Sequence, residues 1–120
     1  NYVLSSGYFD AFYNKAKKVQ KVIRAEFVEA FKKCDALIAP TTATVAFGLG
    51  EKSQDPLSMY LTDIFTVPVN IAGIPSLSMP CGKDKEGMPI GIQIMASHFD
   101  ESKIFQVANA LENALKEDNK

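Results

Sequence analysis

The sequence has one histidine, two cysteines and almost no net charge: 13 basic and 14 acidic side chains give −1 over 120 residues. Each scarcity removes a class of function. A single histidine, His98, excludes a metal site built on two imidazoles. Cys34 and Cys81 are too few for a disulfide scaffold or a zinc site, so a reduced, cytoplasmic setting is expected. The charge balance argues against a chain whose main task is neutralising phosphates. No apolar run approaches the roughly 20 residues that cross a bilayer, and no membrane partner is expected. A basic-then-apolar leader pattern is missing at Asn1, so export is not expected. Internal repeats and low-complexity stretches are absent. What is present is a hydrophobic content of 47%, enough for a core and too high for a chain disordered along most of its length. The length suits one domain, although the chain opens at Asn1 with no Met, as if entering mid-element.

Hydrophobic spacing supplies the elements. Phe9, Phe12, Ala16, Val19, Ile23, Phe27, Ala30 and Phe31 follow the three-and-four rhythm of one buried helix face, predicting a helix over residues 8–33. Its other face carries Lys15, Lys17, Lys18, Lys21 and Arg24, with no acid until Glu26. That strip reads as a solvated face; the alternative is contact with RNA or an acidic partner. Ala36 to Ala39 read as a strand buried on both sides, ended by Pro40. Asp55-Pro56 reads as a helix start, with Leu57, Tyr60, Leu61 and Ile64 on one face and Pro68 as its break. Ser76–Cys81 and Met88–Ala96 flank a polar, glycine-bounded linker, a hairpin pattern. Ile90, Ile92 and Ile94 make one face of the second strand apolar. Gly91 suggests close approach by another backbone or a helix. Asp100 caps a last helix with Ile104, Val107, Ala108, Leu111 and Leu115 as its stripe. The expected fold is α/β: a mixed sheet containing an antiparallel hairpin, flanked by helices.

Chemistry-bearing patterns are sparse. The sequence has no Gly-x-Ser-x-Gly elbow, no Ser-x-x-Lys and no phosphate loop. Ser5-Ser6-Gly7 has no base nearby and reads as a helix connection. His98 reads as a loop residue with local partners, and both cysteines as small core residues. Asp63 stands apart. From Pro56 to Gly82 it is the only formally charged side chain, within Leu57, Met59, Tyr60, Leu61, Ile64, Phe65 and Val67. It either faces solvent or is a partly buried carboxylate. The second case demands a cation, because burying an unpaired charge costs several kcal/mol. That cation is a protein group or the ammonium of a substrate.

The run from Asp55-Pro56-Leu57-Ser58-Met59-Tyr60-Leu61-Thr62-Asp63-Ile64-Phe65-Thr66-Val67-Pro68-Val69-Asn70 to Ile71-Ala72-Gly73-Ile74-Pro75-Ser76-Leu77-Ser78-Met79-Pro80-Cys81-Gly82 resembles the glutamine-hydrolysing subunit of the glutamyl-tRNA(Gln)/aspartyl-tRNA(Asn) amidotransferases. These subunits belong to the amidase signature family. Leu4 to Phe12, Pro89 to Ile94 and Phe99-Asp100-Glu101 extend the likeness over essentially the whole chain. The loop after Pro40 departs from the pattern by lacking a second proline, which touches only loop geometry.

The resemblance implies that residues 1–120 are an incomplete, C-terminal portion of an amidase-like domain. It implies a Ser-Ser-Lys triad upstream, no member of which maps onto this chain, so no catalytic residue and no metal site are expected here. Asp63 matches the family residue that binds the α-amino group of substrate glutamine. An arginine for the α-carboxylate would precede Asn1. The intact protein would hydrolyse glutamine through an acyl-enzyme and pass ammonia to a partner. Its partners would be the amidotransferase subunits B and C, with tRNA met through the complex and ATP and Mg²⁺ used by the partner. The fragment alone would be inactive. A different amidase signature amide hydrolase, or a non-enzymatic binding module, are the alternatives. A truncated sheet would also leave an apolar patch around Ile90, Ile92 and Ile94, or drive association.

Overall fold

The computed structural model describes residues 12–50 and 56–118. Expectations resting on residues 1–11 and on the Asp55 cap lie outside the described residues. The order of elements is α1 (Asn14–Phe31), β1 (Leu37–Pro40), α2 (Pro56–Thr62), α3 (Val67–Ala72), β2 (Ser76–Lys83), β3 (Pro89–Met95) and α4 (Glu101–Asp118).

The three strands form one sheet in the order β1-β3-β2. β3 lies in the centre and is antiparallel to both neighbours, with Ile94 opposite Ile38 on one side and Leu77 on the other. The α/β class and the helix-flanked hairpin hold. The expected mixed sheet is, among the described strands, antiparallel throughout. The hairpin turn is organised by Asp84. Its carboxylate accepts the backbone N–H groups of Glu86 at 3.0 Å and Met88 at 2.8 Å, while Gly87 takes the left-handed conformation at φ 85°. A bulge falls between Pro80 and Gly82, an edge-strand position where proline's missing N–H costs no ladder bond.

The core is small. Ile94, Ala96 and Ile104 are buried together, with Ala36, Leu77, Met79, Val107, Ala108 and Leu111 packed around them. α4 thus covers one face of the β2–β3 hairpin, as its stripe predicts. Asp100 stands just before α4, and its carboxylate accepts the Ser102 hydroxyl at 3.3 Å. On the other side, α1 meets α3, where the Gln20 side-chain amide donates to the Ile71 carbonyl at 2.9 Å. Pro68 sits in the first turn of α3, where a missing N–H is harmless, and Gly73 ends that helix at φ 70°.

Three burial expectations change. α1 has no fully buried residue; Ala16 and Val19 are exposed, and Ile23, Phe27, Ala30 and Phe31 are half-buried. β1 is an edge strand with Ile38 exposed, not a strand covered on both sides. The patch expected around Ile90, Ile92 and Ile94 is closed at one end only: α4 leaves Ile94 fully buried, Ile92 is half-buried and Ile90 is exposed. Further exposed apolar surface lies on α2 and the turn after it, at Leu57, Tyr60, Leu61 and Ile64.

The whole is a slab 18 Å thick and 60 Å long with a radius of gyration of 17.6 Å. A compact chain of this length has a radius of about 14 Å. Its accessible surface is 8981 Å², where a compact monomer of this mass shows about 6,400 Å². No helix among the described residues is long and apolar enough to cross a membrane.

Candidate functional site

The segment Asp63–Thr66 is a turn between α2 and α3, so Asp63 sits beyond the helix on which its neighbours' spacing placed it. The turn is closed by its own backbone. The Asp63 carbonyl accepts N–H groups from Thr66 at 3.1 Å and Val67 at 3.0 Å, and the Thr66 hydroxyl at 3.3 Å. Asn70 reaches back with its side-chain amide to the Thr66 carbonyl at 2.9 Å. The Asp63 side chain is exposed and makes no ion pair among the described residues. Of the two alternatives, the described residues of this chain leave Asp63 facing solvent.

Beside the turn, between α3 and the sheet, lies a cleft of about 300 Å³. Its polar lining is Thr41, Thr66, Asn70, Ser76, Ser78 and Gln93, with Val69 and Ile74 as apolar wall. The hydroxyls of Thr41 and Ser78 are 2.7 Å apart and hydrogen-bonded. Gly91 makes room for them. A Cβ at Gly91 would meet Thr41 Oγ1 at 3.2 Å and Ser78 Oγ at 3.6 Å. The close approach that the strand glycine predicted is made by Thr41, whose backbone N–H donates to the Gly91 carbonyl at 3.0 Å and whose side chain fills the space a Cβ would take. No charged side chain lines the cleft. Its chemistry is hydrogen bonding to an uncharged polar group, with neither a base nor a metal-binding set; no group of acidic, histidine and cysteine side chains that could hold a metal occurs among the described residues.

Gln93 is the residue that sequence reasoning passed over. It is 3% exposed, on the β3 face opposite the isoleucines. Its Nε2 donates to the Phe65 carbonyl at 2.8 Å and to the Pro40 carbonyl at 3.2 Å, while Ser76 Oγ donates to its Oε1 at 3.4 Å. Two carbonyls can only accept, so the amide has one workable orientation. The available clue was a long amide alternating with isoleucines in an apolar strand, which in a sheet covered on both faces must find buried partners.

The remaining candidates stay apart from this place. His98 is exposed, its ring 4.1 Å from that of Phe99. Cys34 and Cys81 are free and half-buried, their thiols directed to the carbonyls of Ala30 and Ile90. The basic residues of α1 are exposed, and Lys17 donates to Gln20 at 2.7 Å.

Residues 1–105 match the amidase family. The chain belongs to that family. It is 56% identical over 99% of its length to the A subunit of the glutamyl-tRNA(Gln) amidotransferase of Caldanaerobacter subterraneus subsp. tengcongensis, and covers 24% of that protein. With the same subunit of Halothermothrix orenii it shares 61% over 95% of this chain, again 24% of that protein. Among solved structures, the A subunit of the Thermotoga maritima glutamyl-tRNA(Gln) amidotransferase superposes with a TM-score of 0.76 at 41% identity, over 87% of this chain and 23% of that one. A 6-aminohexanoate cyclic dimer hydrolase reaches the same TM-score at 32% identity, covering 92% of this chain and 25% of that one. The chain thus spans about a quarter of the length of these relatives.

Proposed function

We propose that the chain is the C-terminal portion of the glutamine-hydrolysing subunit of a tRNA-dependent amidotransferase, the assembly that converts Glu-tRNA(Gln) to Gln-tRNA(Gln). The observation that carries this reading is the 56% identity to such a protein across 99% of the chain. Fold alone does not select the substrate, since an amide hydrolase of another kind superposes equally well. In this reading Asp63 binds the α-amino group of glutamine. An exposed carboxylate without an ion-pair partner among the described residues suits that role: it is free to take a substrate cation. Ser-Ser-Lys chemistry, ammonia transfer to subunits B and C, and the partner's use of ATP and Mg²⁺ belong to the larger assembly. The surface excess of this slab supports the view that it packs against the remainder of an amidase-like domain.

Glutaminase kinetics on the full-length protein in its complex test the assignment. A charge-assisted hydrogen bond contributes about 1.5–3 kcal/mol, so Asp63→Ala is expected to lower kcat/KM for glutamine by roughly 10- to 100-fold. Unchanged KM and kcat would remove Asp63 from the site.

A further inference from the structure

We propose that Gln93 is the positioning residue of the Asp63 turn, an inference that rests on the role proposed for Asp63. The hydrogen bonds within residues 63–66 hold the turn to itself and to the start of α3. None of them fixes the turn relative to the sheet. The bond from Gln93 Nε2 to the Phe65 carbonyl does, two residues from Asp63. The second hydrogen of the same amide is spent on Pro40, the last residue of β1. One buried side chain therefore joins three separate pieces of chain: the end of an edge strand, the central strand and the turn. Ser76 from β2 holds the amide oxygen and so the orientation of both donors.

The chemistry at position 93 is restrictive. It needs two N–H donors on one nitrogen, at the reach of a Gln side chain, without charge. Met and Leu fill the volume but leave two carbonyls unpartnered. Glu faces both carbonyls with a group that, when ionised, cannot donate. The turn would then lose its tether and Asp63 would sample positions away from the substrate cation. Affinity for glutamine falls, while the acyl-transfer chemistry, carried by groups elsewhere, keeps its rate once substrate is bound.

The test is a double-mutant cycle on the full-length protein in its complex, with glutamine KM and kcat read separately. Gln93→Met is expected to raise KM about tenfold with kcat within twofold of the parent. Added to Asp63→Ala, it is expected to change KM by less than twofold, because the residue it positions is already gone. If KM rises equally in both backgrounds, or if kcat alone falls, the positioning role is overturned. So it is if Gln93→Met leaves KM unchanged while Asp63→Ala raises it. A KM unmoved by Asp63→Ala sinks the parent reading instead, a separate outcome. Should Gln93→Met fail to fold, Gln93→Asn, whose amide is one methylene shorter, carries the same cycle with the same criteria.

Discussion

Among the described residues in the left-handed region, Gly73 and Phe99 are there for opposite reasons. Gly73 ends α3 there, and its N–H reaches back to the carbonyls of Val69 and Asn70. A Cβ at Gly73 meets nothing within 4 Å, so the cost of Gly73→Ala is conformational alone, roughly 1–2 kcal/mol. Urea unfolding of the full-length protein should show a loss of that size. Phe99 adopts φ 64° with a Cβ, just before α4, and the residue is 83% exposed. Phe99→Gly should gain stability, by about 1 kcal/mol, because strain is relieved and little burial is lost. A destabilised Phe99→Gly would show that the ring is covered in the intact molecule.

At the scale of elements, one ion pair ties the approach to β1 to α4. Lys103 Nζ lies 2.9 Å from Asp35 Oδ1. The hydrogen bond and charge of Lys103 hold the Asp35 carboxyl below its usual range, and Asp35 in turn raises Lys103. A depressed carboxylate pKa stabilises the folded state above the unfolded value of about 3.9 and loses that contribution as pH falls through the folded value. The raised lysine works in reverse: its contribution is full below about 10.4 and disappears as pH rises through the folded value. The Tm difference between the parent and Asp35→Asn should therefore be flat and small through neutral pH. It should vanish in strong acid, and salt at about 1 M should shrink it, as both groups are accessible to ions.

Elements were legible where spacing met chemistry. The Asp84 hairpin, the α4 stripe and the proline and glycine that bracket α3 all appear where local rules place them. Burial was less legible. The stripe of α1 and the apolar face of α2 carry the spacing of buried surfaces, yet Val19, Leu57 and Tyr60 are exposed. Periodicity reports that a face wants covering, and says nothing of which segment covers it. Asp63 was visible as a lone charge, whereas Gln93 was hidden, because neither of the carbonyls it serves is close to it in sequence.

For the whole molecule, surface is the dominant fact. The accessible area exceeds that of a compact monomer by roughly 40%, and much of what shows on α1 and α2 is aliphatic or aromatic. Isolated chains with such faces associate. The 13.1 kDa chain by itself should sediment as larger species and bind a hydrophobic dye. A monodisperse monomer without dye binding would contradict the slab. The same isolated chain should release no ammonia from glutamine, and turnover by it would overturn the fragment reading.

The central place of β3 has a consequence for the order of assembly. β1 pairs with β3 through Leu37 and Met95, and β2 pairs with the same strand. Among the described strands, β1 and β2 therefore emerge first and meet their shared ladder partner only when residues 89–95 follow. The β1 pairing must also close a long intervening loop, which slows it relative to the local hairpin. β2 and β3 are expected to zip first and β1 to join last. A nascent chain halted before Pro89 would hold β1 and β2 without the ladder that β3 supplies to both.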